Sequence, residues 1–224
     1  MTRPPGFSAV LFDWRGTLVE DPPDEWWVKT ALTRTGRTAD DDLVTRLCLA
    51  LRTAAELPEI AAGELSCDCS PDLHHSWSFA YFAAAGLDDE LAAALYELDF
   101  DAASHPFYPD APGVLRALHE RGIRVALVSD IHLDLRPEFD AAGVGDCIDS
   151  FVLSFEHGIQ KPDRRMFELA LDELGVAAED ALMVGDRASH DGAAVGAGIT
   201  TWLVPPGLPA GQARGLDRLL AVVR

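Results

Sequence analysis

Five short runs of β-forming residues, each bounded by turn residues, constrain this chain more than any other feature. They cover residues 8–12, 123–128, 150–153, 181–184 and 200–204. Between the later runs the apolar spacing predicts helices over 112–121, 135–142 and 162–174. Each is followed by a glycine (Gly122, Gly143, Gly175) at the position where a helix turns into the left-handed conformation. Strands that alternate with helices imply a parallel sheet covered on both faces. The second, fourth and fifth runs are apolar enough to be buried parallel strands.

Residues 20–106 break the alternation, because they hold no convincing strand and read as four helices. One starts at Asp24 and runs through Trp26, Val28 and Leu32; a second starts at Asp40 with Leu43, Leu47 and Leu51 on one face. Ser70-Pro71-Asp72 supplies the cap, first residue and first-turn acid of a third, and Asp88 caps a fourth that presents Leu91, Leu95 and Leu98. The expected architecture is therefore α/β: a Rossmann-like parallel-sheet domain of residues 1–19 and 107–224, with an α-helical domain of residues 20–106 inserted after the first strand. The tail after Pro205 is rich in Gly and Pro before a short amphipathic end at 216–223.

Composition removes several classes of function. The net charge of −19 argues against nucleic acid or an anionic membrane as partner, since both require a basic face. No apolar run approaches the roughly 18 residues of a membrane span. Residues 1–6 lack the layout of a signal peptide, and the four cysteines are too scattered for a disulfide scaffold, so a reducing cytoplasm is expected. A small anionic substrate remains open to such a chain, provided that cations gather locally to meet it. Lys29 and Lys161 are the only lysines beside sixteen arginines.

In open parallel sheets ligands bind at the carboxyl ends of the strands. The first strand ends in Asp13-Trp14-Arg15-Gly16-Thr17, the second in Ser129-Asp130, and the fourth in Gly185-Asp186 with Asp191 five residues on. Lys161 precedes a helix in Gln160-Lys161-Pro162-Asp163. Three acids, a hydroxyl and a lysine thus meet at one edge. Clustered carboxylates repel unless a hard divalent cation relieves them, and such a cation also offsets the charge of a phosphate under attack by a carboxylate. Lysine adds a positive point charge, hydroxyl and backbone N–H groups after Asp13 add hydrogen bonds, and Gly16 allows close backbone approach.

These segments resemble, in order, the four motifs of the haloacid dehalogenase superfamily: Ala9-Val10-Leu11-Phe12-Asp13-x-x-Gly16-Thr17-Leu18, Leu127-Val128-Ser129, Lys161-Pro162-Asp163 with Met166-Phe167, and Val184-Gly185-Asp186-x-x-x-x-Asp191. The resemblance implies a hydrolase of phosphatase type in which Asp13 forms an aspartyl-phosphate. It implies Mg²⁺ held by Asp13, the main-chain carbonyl of Arg15 and Asp186, supported by Asp191. Ser129 and Lys161 would orient and neutralise the phosphate, with Arg15, Gly16, Thr17 and Asp130 also lining the substrate. The helical insertion would be the family's cap, which closes over the site. The substrate is expected to be a small phosphorylated metabolite and the protein a monomer or homodimer.

One residue departs from the pattern. Family phosphatases carry an acid/base Asp two residues after the nucleophile, where this chain has Arg15, which stays protonated. Losing such a group costs about 10²–10⁴ in rate. A good leaving group, a proton donor elsewhere, or a protein that binds a phosphorylated ligand or partner without turnover would each accommodate the change. Two further readings are metal-free dehalogenation, against which Asp186 argues, and phosphonatase chemistry suggested by Asp13-Trp14-x-Gly16-Thr17, for which Lys29 lies early in the insertion. His132, just past the second strand, is the candidate substitute proton donor.

Other clusters have simpler explanations. Cys67-x-Cys69 with His74 and His75 invites zinc, but adjacent histidines on a helix diverge. Trp26, Trp27, Trp77, Phe79, Tyr81 and Phe82 fit a helical core with one or two lining a pocket. Arg34, Arg37, Arg46 and Arg52 fit solvated helix faces.

Overall fold

The computed structural model describes residues 6–205 and 208–224; residues 1–5 of the expected first segment and 206–207 of the Gly/Pro-rich tail lie outside the described residues. Strand β1 (Ala9–Phe12) is followed by helices α1 (Asp24–Arg34), α2 (Asp41–Ala55), α3 (Pro58–Glu64), α4 (Pro71–Ala84) and α5 (Asp89–Asp99). Then come α6 (Ala111–Glu120), β2 (Arg124–Ser129), α7 (Arg136–Ala141), β3 (Ser150–Leu153), α8 (Ser154–His157), α9 (Arg164–Leu174), β4 (Ala181–Gly185) and β5 (Thr200–Leu203).

The sheet is parallel, in the order β3-β2-β1-β4-β5, which places β1 at its centre. Side chains alternate across it, as the two-residue period of a strand requires. Val10 and Phe12 join Leu127, Val184, Leu115 and Phe139 on one face. Ala9 and Leu11 join Val128, Met183, Met166 and Phe167 on the other. Both faces of β1 are therefore closed to water, and the chain must leave the sheet at Asp13. One expectation fails: β5 is not a buried strand. It lies at the sheet edge with Thr200 exposed and Leu203 42% exposed. Its apolar content matched that of an inner strand, and only the crossover pattern assigns it to the edge.

Helices α1, α2 and α5 build a core of their own from Val28, Leu32, Val44, Cys48, Leu51, Leu91, Leu95 and Leu98. Their starts are fixed by the expected caps. The side chains of Asp40, Ser70 and Asp88 accept hydrogen bonds from the N–H groups of Leu43, Leu73 and Leu91, at 2.9, 3.2 and 3.0 Å. Two details differ from the sequence reading. The buried face of α2 is Val44, Cys48, Leu51 and Ala54, with Leu43 and Leu47 only at its margin. The short helix α3, which begins at Pro58, is an addition. The chain enters and leaves this region as a paired ribbon: Val19 bridges Phe107 antiparallel, Glu20 N–H donates to Pro106 O and Tyr108 N–H to Leu18 O. Among the described residues no helix is long and apolar enough to cross a membrane.

Phe139 is fully buried and meets Phe107 and Phe151 edge-on, at 5.2 and 5.4 Å between ring centres. Phe139→Ala should destabilise the fold by about 3–5 kcal/mol in urea unfolding. Leu49→Ser, at a 63% exposed position, should stay within about 0.5 kcal/mol; equal effects would contradict this assignment of the core.

Candidate active site

Because β1, β2 and β4 run parallel, their carboxyl ends deliver Asp13, Ser129 and Asp186 to one edge of the sheet. Lys161, on the loop before α9, completes the group. Its ammonium lies 2.7 Å from Asp13 Oδ1 and 2.7 Å from Asp191 Oδ1 and is 2% exposed. Burial alone would lower the lysine pKa, but Asp13, Asp191 and Asp130 raise it, so Lys161 stays charged. Burial pushes the Asp13 carboxyl above its ordinary value; Lys161 opposes the shift and Asp191 adds to it.

Asp191 is fully buried and both its oxygens are engaged, one by Lys161 and the other by the Arg187 N–H at 2.9 Å. Its place in this geometry is to hold Lys161. Gly185 makes this possible, since a Cβ there would meet Asp191 Cγ at 2.2 Å. Thr17 is also fully buried, and its hydroxyl donates to Asp13 Oδ2 at 3.1 Å. The amide of Gly16 donates to Val19 O within the turn. Thr17 therefore orients Asp13, and Gly16 closes the turn that follows it. Asp130 accepts a 2.7 Å hydrogen bond from the Lys161 N–H, which places the lysine loop. Burial pushes the Asp130 carboxyl up to about 6.

Asp186 differs from these neighbours. Its Oδ1 is buried and has no hydrogen-bond partner among the described residues. Burial, with Asp13 and Asp191 nearby, pushes its carboxyl up to about 6. Oxygen atoms of Asp13, Asp186 and Asp191 lie within 4.8 Å of one another. Three carboxylates against one ammonium leave an excess of two negative charges in a buried place. An all-oxygen donor set with a charge deficit of that size fits Mg²⁺. Gly16, at φ +76°, turns the chain past this carboxylate; a Cβ there would meet Asp186 Oδ2 at 2.4 Å.

Arg15 turns toward the helical insertion. Its guanidinium pairs with Asp99 Oδ1 at 2.5 Å and lies over the Trp14 and Trp27 rings. Burial, and then Arg15 itself, push the adjacent His105 imidazole down to about 4, with Asp99 opposing. A cavity of about 430 Å³ is lined by Asp13, Ser129, Lys161 and Asp186 on the sheet side and by Asp68, His74 and Asp99 of the insertion, with His132 beside them. A second cavity of about 230 Å³ shares Arg15, His74 and Asp99 and is lined by Trp27, Trp77, Tyr81 and Phe82. The aromatic residues thus supply both helical core and pocket wall.

Sequence reasoning missed Asp68 and Asp99 as site residues, because nothing in their local spacing shows that the fold brings them to the cavity. Of the group suggested by Cys67, Cys69, His74 and His75, ligand atoms of Cys67 and His74 come within 4.8 Å of each other and of Asp68. His75 stacks on Phe79, His74 turns to Asp68, and burial holds the Cys67 thiol protonated. Arg34, Arg37 and Arg52 form surface ion pairs with acids of the insertion.

The sequence model of the haloacid dehalogenase-like hydrolases matches residues 7–198. Over 103 residues the chain is 38% identical to a phosphoserine phosphatase of Thermus thermophilus, covering 46% of this chain and 40% of that protein. It is 31% identical over 208 residues to a phosphoglycolate phosphatase of Rhodospirillum rubrum, covering 86% and 77%. The chain spans about half the length of most of the curated relatives it matches first. A dehalogenase solved with an intermediate superposes with a TM-score of 0.68 over 99% of both chains at 22% identity, a likeness of fold. A carboxylate, an ammonium and an unpartnered second carboxylate at the strand ends, in a chain matched along most of its length, make this protein a member of the haloacid dehalogenase-like hydrolases.

Proposed function

We propose that the protein is a Mg²⁺-dependent phosphatase acting on a small phosphorylated metabolite, with residues 20–106 serving as a cap domain over a core of residues 1–19 and 107–224. The observation that carries this reading is the buried Asp186 oxygen that has no partner among the described residues, next to Asp13, where three carboxylates face one ammonium. Asp13, Asp186 and the Arg15 carbonyl would hold the ion, which supplies charge neutralisation for the phosphoryl group when bound. Asp13, fixed by Thr17 and Lys161, attacks phosphorus to form an aspartyl-phosphate, and the alcohol leaves. Lys161 and Ser129 steady the phosphoryl oxygens, while Asp191 keeps Lys161 from drifting. Haloacid dehalogenases also match about half of this chain, but the phosphoglycolate phosphatase matches 86% of it, which supports this choice, as does an acid at 186 that a metal-free reaction does not need.

A second reading, binding of a phosphorylated ligand without turnover, is favoured by the ion pair that fixes Arg15 to Asp99 where an acid/base residue would serve. Assays with acetyl phosphate and p-nitrophenyl phosphate separate the two. The enzyme reading expects Mg²⁺-dependent turnover that Asp13→Asn lowers by on the order of 10³-fold or more. Silence of the wild type together with activity of Arg15→Asp would establish the binding reading instead. Halide release from 2-haloacids, indifferent to chelators, would replace both.

Gly16→Ala tests the metal site separately. The added Cβ displaces Asp186, so the Mg²⁺ concentration for half-maximal activity should rise at least about tenfold, roughly 1.4 kcal/mol of lost binding. An unchanged requirement would remove Asp186 from the metal site.

A further inference from the structure

Two imidazoles meet where the helical insertion touches the sheet edge. His74 comes from α4 and His132 from the loop after β2, and their rings stack face to face at 3.4 Å between centres, 11° from parallel. Their edges are aligned. Both Nδ1 atoms face Asp68 Oδ1, at 2.9 Å from His74 and 3.4 Å from His132. Both Nε2 atoms face Asp99 Oδ2, at 3.5 and 3.6 Å. His74 is thus the tethered member. The His132 side chain is 1% exposed, yet among the described residues neither of its nitrogens makes a hydrogen bond of good geometry.

The charges in contact with the stack are Asp68, Asp99 and, through Asp99, Arg15. They sum to one negative charge beside the two stacked rings. His132 and His74 hold Asp68 ionised against its burial, and Arg15 followed by the two histidines does the same for Asp99. His105, held neutral beside Arg15, adds the smallest of these contributions to Asp99. The pair lines the same cavity as Asp13, Ser129, Lys161 and Asp186. It is held in register by Ser154, whose hydroxyl accepts from the Ile131 N–H at 2.8 Å and donates to the Asp68 carbonyl at 2.7 Å. Gln160 adds a second tie, accepting from Asp68 N–H and donating to Glu64 O.

We propose that His132, oriented by His74 and Asp68, is the proton donor to the leaving group, in place of the acid that Arg15 has displaced. The proposal rests on the phosphatase reading. Asp13 Oδ attacks phosphorus, the bond from phosphorus to the leaving oxygen breaks, and that oxygen takes the proton from a ring N–H of His132. In the second half, water attacks the aspartyl-phosphate, the bond from phosphorus to Asp13 breaks, and the now neutral imidazole takes the proton that water loses. His132 ends as it began, and the sum is ester plus water giving alcohol plus phosphate. Since His74 and Asp68 belong to the insertion and His132 to the sheet, the donor is complete only while the two are docked.

The test is the leaving-group dependence of kcat/KM, which reports the first half-reaction alone, for the full chain with Mg²⁺. A series of phosphate monoesters would run from p-nitrophenyl through phenyl to alkyl, with acetyl phosphate as the substrate that needs no proton. The expected result for His132→Gln is a loss that grows along the series and reaches about 10²–10⁴ for the alkyl ester. Asp68→Asn, a positioning change, should steepen the same slope less. Added imidazole should restore alkyl ester turnover in His132→Gly, a signature that a merely structural role lacks. An equal loss for every leaving group, or none, together with no rescue, would overturn the proposal. Failure of the phosphatase reading looks different: the wild type itself would leave acetyl phosphate untouched.

Discussion

One ammonium group organises the sheet edge. Lys161 is buried between Asp13 and Asp191, and each of the three would be costly to bury alone. Around this triad the neighbouring residues take supporting tasks. Thr17 fixes the second Asp13 oxygen, the Arg187 amide fixes the second oxygen of Asp191, and Asp130 holds the backbone that carries the lysine. Two glycines, at 16 and 185, exist to let these carboxylates approach the chain. What the triad does not balance is Asp186, and the chemistry proposed for the site follows from that imbalance.

Much of this was legible before the fold was seen. The buried setting of β2 and β4 was legible because a short strand covered on both faces has no room for polar residues on either. The convergence of Asp13, Ser129, Lys161 and Asp186 followed from strands that all run one way. The caps at Asp40, Ser70 and Asp88 were legible because their hydrogen bonds are local, three residues long. The edge setting of β5 was not, since neighbours in a sheet are chosen by crossovers and not by composition. The rotation of α2 by about one residue escaped because its leucines recur every fourth residue and so drift across the buried face.

The less visible part of the site is the part that bridges two regions. His74 and His132 both stood out in the sequence, for unrelated reasons, and nothing local shows that their rings stack. Asp68 sat inside a Cys-x-Cys segment and was read with it; Asp99 ends a helix and has no motif. Arg15 is the link between the two views. As a sequence feature it is a loss, the absence of an acid. In the structure it is a tether, because its charge holds Asp99 at the mouth of the cavity, next to the histidines.

The ribbon at Val19 and Phe107 has an evolutionary consequence. Because the chain leaves the sheet region and returns to it at the same point, and because the helices beyond bury a core of their own, lengthening, trimming or replacing them leaves the strand order and the triad untouched. Selection can therefore rework the aromatic walls of the smaller cavity without disturbing the packing around Asp13. The residues that tie the regions together, Gln160 and Ser154 with Arg15, are the ones such a history must keep in step with the helices. They mark the seam at which any replacement of the helices has to be matched to the sheet edge.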